Sequence, residues 1–245
     1  MIRLILFGAA GRMGKEVELA AAKTDDMKIV ARVDASGADG CLSSLDEVTA
    51  DADAIVDFSH HAATKTLTEY AVKNRLPLLI ATTGQTDGEL ALIRGAAEKI
   101  PVFFASNYSL GIAALTKAAK AIAALYPDAD IEIIEKHHNR KLDAPSGTAL
   151  SIARAISSVR EGETAFLFGR GGQVKRQKNE IGIHAVRLGN IVGEHEVLIG
   201  TDNETITLKH EAHSRALFAD GALAAVRFLV SRKPGLWSMT DLVGD

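Results

Sequence analysis

The architecture of this chain is set at its start by residues 2–14, IRLILFGAAGRMG. Ile2 to Phe7 is a short, mostly apolar run of strand-forming residues, as expected for a parallel strand that is covered on both faces. Gly8, Gly11 and Gly14 follow at once, and an alanine-rich stretch of helical composition then continues to about Ala22. The sequence therefore predicts a strand, a glycine turn and a helix.

A glycine turn in this position is typical of a dinucleotide site. The glycines let the backbone come close to a pyrophosphate, and the free N–H groups at the helix start attract its charge. The spacing G-x-x-G-x-x-G departs from the G-x-G-x-x-G fingerprint, so a tight turn without a ligand is the alternative.

The end of the second predicted strand, Lys28–Val33, adds an acidic residue. Asp34 is placed to accept hydrogen bonds from the ribose hydroxyls of the adenosine, although a simple turn residue is the alternative. The next two residues supply no arginine for a 2′-phosphate. We therefore expect NADH to be preferred, with NADPH still possible through Arg12 or Lys15.

Strands and helices then alternate to about residue 125. Strand-like runs cover 54–59, 78–81 and 102–105, and helical stretches cover 43–49, 62–74, 87–99 and 110–125. This alternation predicts a Rossmann-like, doubly wound parallel sheet. Ligands of such sheets bind beyond the carboxyl ends of the strands, where the small hydroxyl residues Ser59, Thr82 and Thr83 suit a nicotinamide ribose or amide. Ordinary turn chemistry is the alternative at each strand end.

From Ile131 onward apolar and polar residues alternate along the strands. This pattern predicts a second, α+β domain with a mixed, largely open sheet whose one face is covered by helices, so the chain as a whole is α/β. Gly169–Asn179 is glycine-rich and basic, which predicts a mobile loop over an anionic substrate or a solvated hairpin tip. The pattern of Ala216–Val230 predicts an amphipathic helix, and a short tail follows.

Composition narrows the class of partner. The 245 residues are 47% hydrophobic and 24% charged with a net charge of −3, which is typical of a globular protein and gives no basic field for nucleic acid. No apolar run reaches the length of a membrane span, and Cys41 is the single cysteine. We expect a cytoplasmic protein that binds small molecules and contacts neither nucleic acid nor membrane.

The densest polar segment is residues 132–149, EIIEKHHNRKLDAPSGTA. Adjacent histidines on an extended segment point to opposite faces, so a shared metal site is not expected. A histidine can deliver a proton near neutral pH, and Lys141 can hold negative charge or act as a second donor. Ser146, Gly147 and Thr148 open a helix whose N-terminus suits a carboxylate, with a plain helix cap as the alternative.

This segment resembles the signature of the 4-hydroxy-tetrahydrodipicolinate (dihydrodipicolinate) reductase family of lysine and diaminopimelate biosynthesis. The matching pattern is E-x-x-E-x-H-H-x-x-K-x-D-x-P-S-G-T-A. Other matches span the chain: residues 8–14, 56–59, 81–84, 105–109, 191–195 and 214–215. The resemblance implies an NAD(P)H-dependent reductase that forms a homotetramer through its second sheet. It also implies a dinucleotide-binding domain at 1–108 with 215–245, and a substrate-binding and oligomerisation domain at 109–214.

The resemblance also implies residue roles. His137 is expected to be the acid/base and Lys141 the proton donor, with no metal. The dicarboxylate substrate is expected to contact His138, Ser146, Gly147 and Thr148. The cofactor is expected to contact Gly8, Ala9, Ala10, Gly11, Arg12, Met13, Asp34, Phe58, Ala81, Thr82, Thr83, Ala105, Ser106, Asn107 and Tyr108. The remaining alternatives are another two-domain nicotinamide-dependent oxidoreductase that acts on a small carboxylate, and a non-catalytic nucleotide sensor.

Overall fold

The structure is a computed structural model that describes residues 1–244. Its chain divides into two compact units, Met1–Leu110 with Arg215–Asp245, and Gly111–Ser214. Across the described residues, no helix has both the length and the apolar composition needed to cross a membrane.

The first unit contains six strands and most of the helices. Its strands are β1 (Ile2–Phe7), β2 (Met27–Val33), β3 (Ala54–Asp57), β4 (Leu78–Ile80), β5 (Pro101–Phe104) and β11 (Gly235–Trp237). Its helices are α1 (Arg12–Ala21), α2 (Thr64–Asn74), α3 (Asp87–Ala97), α6 (Ala216–Leu229) and α7 (Met239–Val243).

The strand order in this sheet is β11-β5-β4-β3-β1-β2, and every pairing is parallel. The apolar run of β1 lies in the core, where Leu4, Ile5 and Leu6 are at most 1% exposed. Because parallel strands end at the same edge, the residues after β1, β3, β4 and β5 lie along one side of the sheet. The predicted doubly wound parallel sheet is confirmed.

The second unit is built on a five-stranded sheet in the order β10-β9-β6-β8-β7. Its strands are β6 (Asp130–His137), β7 (Ala165–Phe168), β8 (Glu180–Arg187), β9 (Gly193–Gly200) and β10 (Thr205–Ala212), and its helices are α4 (Leu110–Leu125) and α5 (Gly147–Ser157). Strand β6 pairs parallel with β8 and antiparallel with β9, so the predicted mixed sheet is confirmed. Alternate residues of β6, Ile131 and Ile133, pack with apolar residues of α4 and α5 in one core.

Three local predictions differ from the structure. The hairpin alternative for Gly169–Asn179 is wrong, because β7 and β8, which it connects, run parallel. Two of its arginines are held by the sheet: Arg170 bonds Glu180 at 2.6 Å, and Arg176 pairs with the carboxylate of Asp130 at 2.7 Å. Residues 235–237 of the supposed tail form a sheet strand. The predicted helix at 43–49 is only a single 3-10 turn, Leu45–Glu47.

Candidate active site

The glycine turn of the first unit brings backbone segments into contact. Gly8 has φ +82°, and a Cβ on Gly14 would lie 2.3 Å from the Gly8 carbonyl oxygen, so α1 starts directly against the turn. No side chain caps α1 at Gly11, and no acidic residue lies in its first turn. The N–H groups at this helix start are therefore suited to an anion such as pyrophosphate.

Asp34 lies beside this turn, as the sequence predicts. Its carboxylate accepts hydrogen bonds from the backbone N–H of Ala10 at 3.2 Å and from the hydroxyl and backbone N–H of Ser36 at 2.6 and 3.0 Å. The bonds from Ser36 lower the pKa of Asp34, so it is ionised at neutral pH. Lys15 forms an ion pair with Asp39 at 2.9 Å, which neutralises one of the two cations considered for a 2′-phosphate.

The other predicted cofactor residues lie at the carboxyl ends of neighbouring strands. Phe58 follows β3 and touches the glycine turn, because a Cβ on Gly8 would lie 2.7 Å from its carbonyl. Ala81–Thr83 follow β4, and Ala105–Tyr108 follow β5. The Tyr108 side chain is buried, and its hydroxyl donates to the carbonyl of Ile80 at 2.8 Å. The ring thus packs in the core, and the Tyr108 carbonyl lies against Gly221 of α6, where an added Cβ would be 1.7 Å away.

Asp57 also lies in this region, although the sequence predicts no function for it. Asp57, the last residue of β3, is 1% exposed and accepts from the hydroxyl of Ser59 at 2.5 Å and from that of Thr82 at 3.3 Å. Burial raises its pKa to about 6. The carboxyl group therefore links two strand ends at the predicted nicotinamide side.

In the second unit, His137 ends β6 and is joined to a buried carboxylate. Its Nδ1 lies 2.6 Å from Oε2 of Glu135, which is fully buried. Arg187 donates to both oxygens of Glu135, at 2.8 and 2.7 Å, and the backbone N–H of Ser146 donates at 3.0 Å. Burial alone would raise the pKa of Glu135, but these hydrogen bonds lower it to about 2.

Lys141 lies in the loop between β6 and α5. Its ammonium group pairs with Asp143 at 2.8 Å, and the Lys141 side chain is 22% exposed. Arg187 also donates to the Asp143 carbonyl at 2.6 Å, which ties this loop to the buried Glu135. The same arginine therefore holds both the carboxylate next to His137 and the loop that carries Lys141.

Ser146 forms the cap of α5. Its hydroxyl accepts from the N–H of Ala149 at 3.1 Å and lies 3.1 Å from Nε2 of His195, and Ser146 is 2% exposed. The Ser146 hydroxyl therefore acts as a helix cap, the alternative to a direct contact with a carboxylate. Gly147, at the first position of α5, is exposed, and Thr148 is partly exposed, so the helix start is open to a ligand at these residues.

His195 lies deep in this cluster and has no assigned role in the sequence interpretation. Its ring is 5.3 Å from that of His137 in an edge-to-face arrangement. Burial, together with the nearby charge of His137, lowers the pKa of His195 to about 4. His195 is therefore neutral at physiological pH. Within residues 1–244, no group of three or more His, Cys, Asp or Glu side chains is arranged to hold a metal ion.

Comparisons with known proteins give the same family for both units of the chain. Residues 2–108 match the family model "Dihydrodipicolinate reductase, N-terminus", and residues 111–243 match "Dihydrodipicolinate reductase, C-terminus". The chain is 47% identical to the 4-hydroxy-tetrahydrodipicolinate reductase of Caldanaerobacter subterraneus subsp. tengcongensis, over 99% of this chain and 98% of that protein. It is 41% identical to the enzyme of that name from Clostridium botulinum, over 100% and 99%.

A solved structure shows the same fold at full length. The dipicolinate-bound dihydrodipicolinate reductase from Paenisporosarcina sp. TG-14 is 27% identical, with a TM-score of 0.81 and 100% of both chains covered.

Proposed function

The chain belongs to the dihydrodipicolinate reductase family of NAD(P)H-dependent oxidoreductases, and from this premise we propose its substrate, its reacting residues and its preferred cofactor. The substrate is 4-hydroxy-tetrahydrodipicolinate, and the product is tetrahydrodipicolinate of the lysine and diaminopimelate pathway. The observation that carries the proposal concerns the paired Glu135 and Arg187. Glu135 bonds the His137 ring and the N–H of Ser146 at the start of α5, and Arg187 bonds the Asp143 carbonyl in the loop that carries Lys141.

The acid chemistry falls to His137 and Lys141. When bound, the reduced nicotinamide supplies the hydride that reaches a ring carbon of the substrate. The substrate first loses its 4-hydroxyl group, together with a proton from a neighbouring ring carbon, as water, which leaves a conjugated ring. When the hydride adds to this ring, negative charge develops on it, and a protonated His137 relieves that charge by giving a proton to the neighbouring carbon. Lys141 exchanges its partner Asp143 for the substrate and acts as proton donor and counter-charge.

The start of α5 is the proposed seat for a substrate carboxylate. Gly147 is exposed and Thr148 partly exposed at the start of this helix, its first turn holds no acidic residue, and His138 borders the same loop. Ser146 contributes by capping the helix with its buried hydroxyl, which accepts from the N–H of Ala149, and not by a contact of that hydroxyl with the substrate. A helix N-terminus favours an anion by its unpaired N–H groups and its dipole.

NADH is the proposed preferred cofactor. Residues Gly8–Met13 would hold its pyrophosphate, and the ionised Asp34 would accept the ribose hydroxyls and repel a 2′-phosphate. Arg12 and Lys15, which pairs with the exposed Asp39 at 2.9 Å, are the cations at this turn that could meet the 2′-phosphate of NADPH. The nicotinamide end would meet Phe58, Ala81–Thr83 and Ala105–Tyr108, at the carboxyl ends of the strands.

We extend the proposal to assembly and location. The open five-stranded sheet of the second unit is the surface through which a homotetramer would form. A single cysteine and a net charge of −3 fit a cytoplasmic enzyme with a small dicarboxylate as its partner and neither nucleic acid nor membrane.

The variant His137→Gln tests the proposed acid. We expect turnover to fall by about 10²–10⁴ while NADH affinity stays near wild type, since only general acid catalysis is lost. The matched control is His184→Gln, because His184 also pairs with a glutamate, Glu132, at 2.7 Å. Turnover of His137→Gln equal to that of the control would contradict the role of His137.

A further inference from the structure

Glu135 is a carboxylate with no solvent exposure whose two oxygens together accept four hydrogen bonds. Oε2 receives the His137 ring and one Arg187 nitrogen, and Oε1 receives the other Arg187 nitrogen and the N–H of Ser146. A buried charge is costly unless its bonding capacity is filled, and here it is filled by groups of the proposed reaction site.

The geometry of β6 makes the contact with His137 a close one. Residues two apart on a strand point to the same side, so Glu135 and His137 lie side by side on the helix-covered face, as do Ile131 and Ile133. The carboxylate accepts from Nδ1–H, which leaves Nε2 as the atom that can carry the reacting proton. Nε2 lies beside Gly193, where an added Cβ would be 3.0 Å away.

Arg187 fixes the carboxylate in turn. Its two Nη atoms meet the two oxygens of Glu135 in a fork, at 2.8 and 2.7 Å, a geometry that lysine cannot reproduce. Sheet register explains the contact, because His137 pairs with Arg187 across the parallel β6 and β8. Arg187 therefore restricts the carboxylate to one orientation, and the carboxylate restricts the ring.

We propose that Glu135 and Arg187 are positioning residues: Glu135 holds His137 through Nδ1 so that Nε2 delivers the proton, and Arg187 locks Glu135 in place. The inference rests on the proposed role of His137 as the acid. The same carboxylate also accepts from the backbone N–H of Ser146, so Glu135 connects His137 to the start of α5, the proposed seat of the substrate carboxylate.

The chain contains a matched comparison on the same strand. Glu132 also bonds a histidine, His184, and an arginine, Arg176, but it lies on the opposite face of β6 and is 28% exposed. Glu132→Gln removes a carboxylate from an equivalent Glu-His-Arg group away from His137. It controls for the general loss of an ion pair in the sheet.

The kinetic test compares Glu135→Gln with Glu132→Gln. We expect Glu135→Gln to lose at least about 10-fold in kcat with little change in the KM for NADH, because the ring loses its preferred tautomer. Arg187→Lys should show a smaller loss of the same kind. Glu132→Gln should keep wild-type kcat, with size-exclusion elution confirming an unchanged assembly. Equal kcat for the two glutamate variants would overturn the inference.

A spectroscopic test needs no active variant. In wild-type protein labelled with ¹⁵N-histidine, the His137 signal is assigned by its absence in His137→Gln. It should report that Nδ1 holds the proton when the ring carries only one. An Nε2–H tautomer would overturn the inference even if Glu135→Gln failed to fold. Full activity of His137→Gln would instead overturn the proposed function, so the two failures are distinguishable.

Discussion

His195 shows how one buried side chain connects the reaction site to stability. It contacts Ser146 through Nε2, and within residues 1–244 its Nδ1 has no hydrogen-bond partner. A protonated ring there would place a second positive charge 5.3 Å, centroid to centroid, from the ring of His137. The site therefore favours a neutral His195 beside His137, the proposed acid.

This requirement predicts a pH dependence of folding stability. The pKa of His195 is about 4 in the folded protein against 6.5 for the ordinary side chain, so between these values the unfolded chain binds more protons. Stability should therefore fall as pH drops from 6.5 towards 4, by about 3 kcal/mol from this residue.

The measurement is the free energy of unfolding of wild type and His195→Gln by urea titration across this pH range. The variant should lack this part of the loss, because glutamine can still bond Ser146 but does not titrate. Parallel pH profiles for the two proteins would contradict a neutral, buried His195.

At this scale the sequence predicts His137, Lys141 and the α5 start as one cluster, since they lie within twelve residues of each other. It assigns no role to Glu135, Arg187 or His195. Glu135 faces His195 across β6 and β9, and His137 faces Arg187 across β6 and β8. The partners lie about 50 residues away in the chain, and only the sheet register brings them together.

Among the helices and strands, the position of α1 depends most directly on one glycine, Gly14. A Cβ on Gly14 would meet backbone atoms of Gly8 and Ala9 at 2.3 to 2.8 Å, and backbone cannot rotate away as a flexible side chain can. The close approach of helix and turn is what aims the helix N-terminus at the proposed pyrophosphate position.

Gly14→Ala should therefore move α1 away from the turn. We expect a loss of about 1–3 kcal/mol in the free energy of unfolding, as in other overpacked sites, together with weaker NADH binding by fluorescence titration. Gly95→Ala in α3 is the control, since a Cβ there meets nothing within 4 Å and alanine favours helix. A Gly14→Ala protein with control-like stability and affinity would contradict the close packing.

Helices and strands are predictable from sequence where the apolar pattern repeats over a long segment. The predicted helix 110–125 matches α4, and the predicted Ala216–Val230 differs from α6 by one residue. The strand Gly235–Trp237 is only three residues long, so no period identifies it. The β7–β8 pairing was not predictable either, because a glycine-rich connection fits both a hairpin and a parallel return.

For the whole molecule, the apolar run at β1 and the change to alternating strands after residue 131 are enough to predict the two kinds of sheet. The division of the chain after Leu110 and after Ser214 separates the glycine turn with Asp34 from the His137 cluster. The cofactor and the substrate are thus assigned to different units in the proposal.

The most direct test of the proposed reaction is NADH oxidation, followed by absorbance, with the freshly generated condensation product of pyruvate and aspartate semialdehyde. We predict rapid oxidation that depends on this product, faster with NADH than with NADPH, and lost in His137→Gln but not in His184→Gln. No product-dependent oxidation by the wild-type protein with either cofactor would contradict the proposed function.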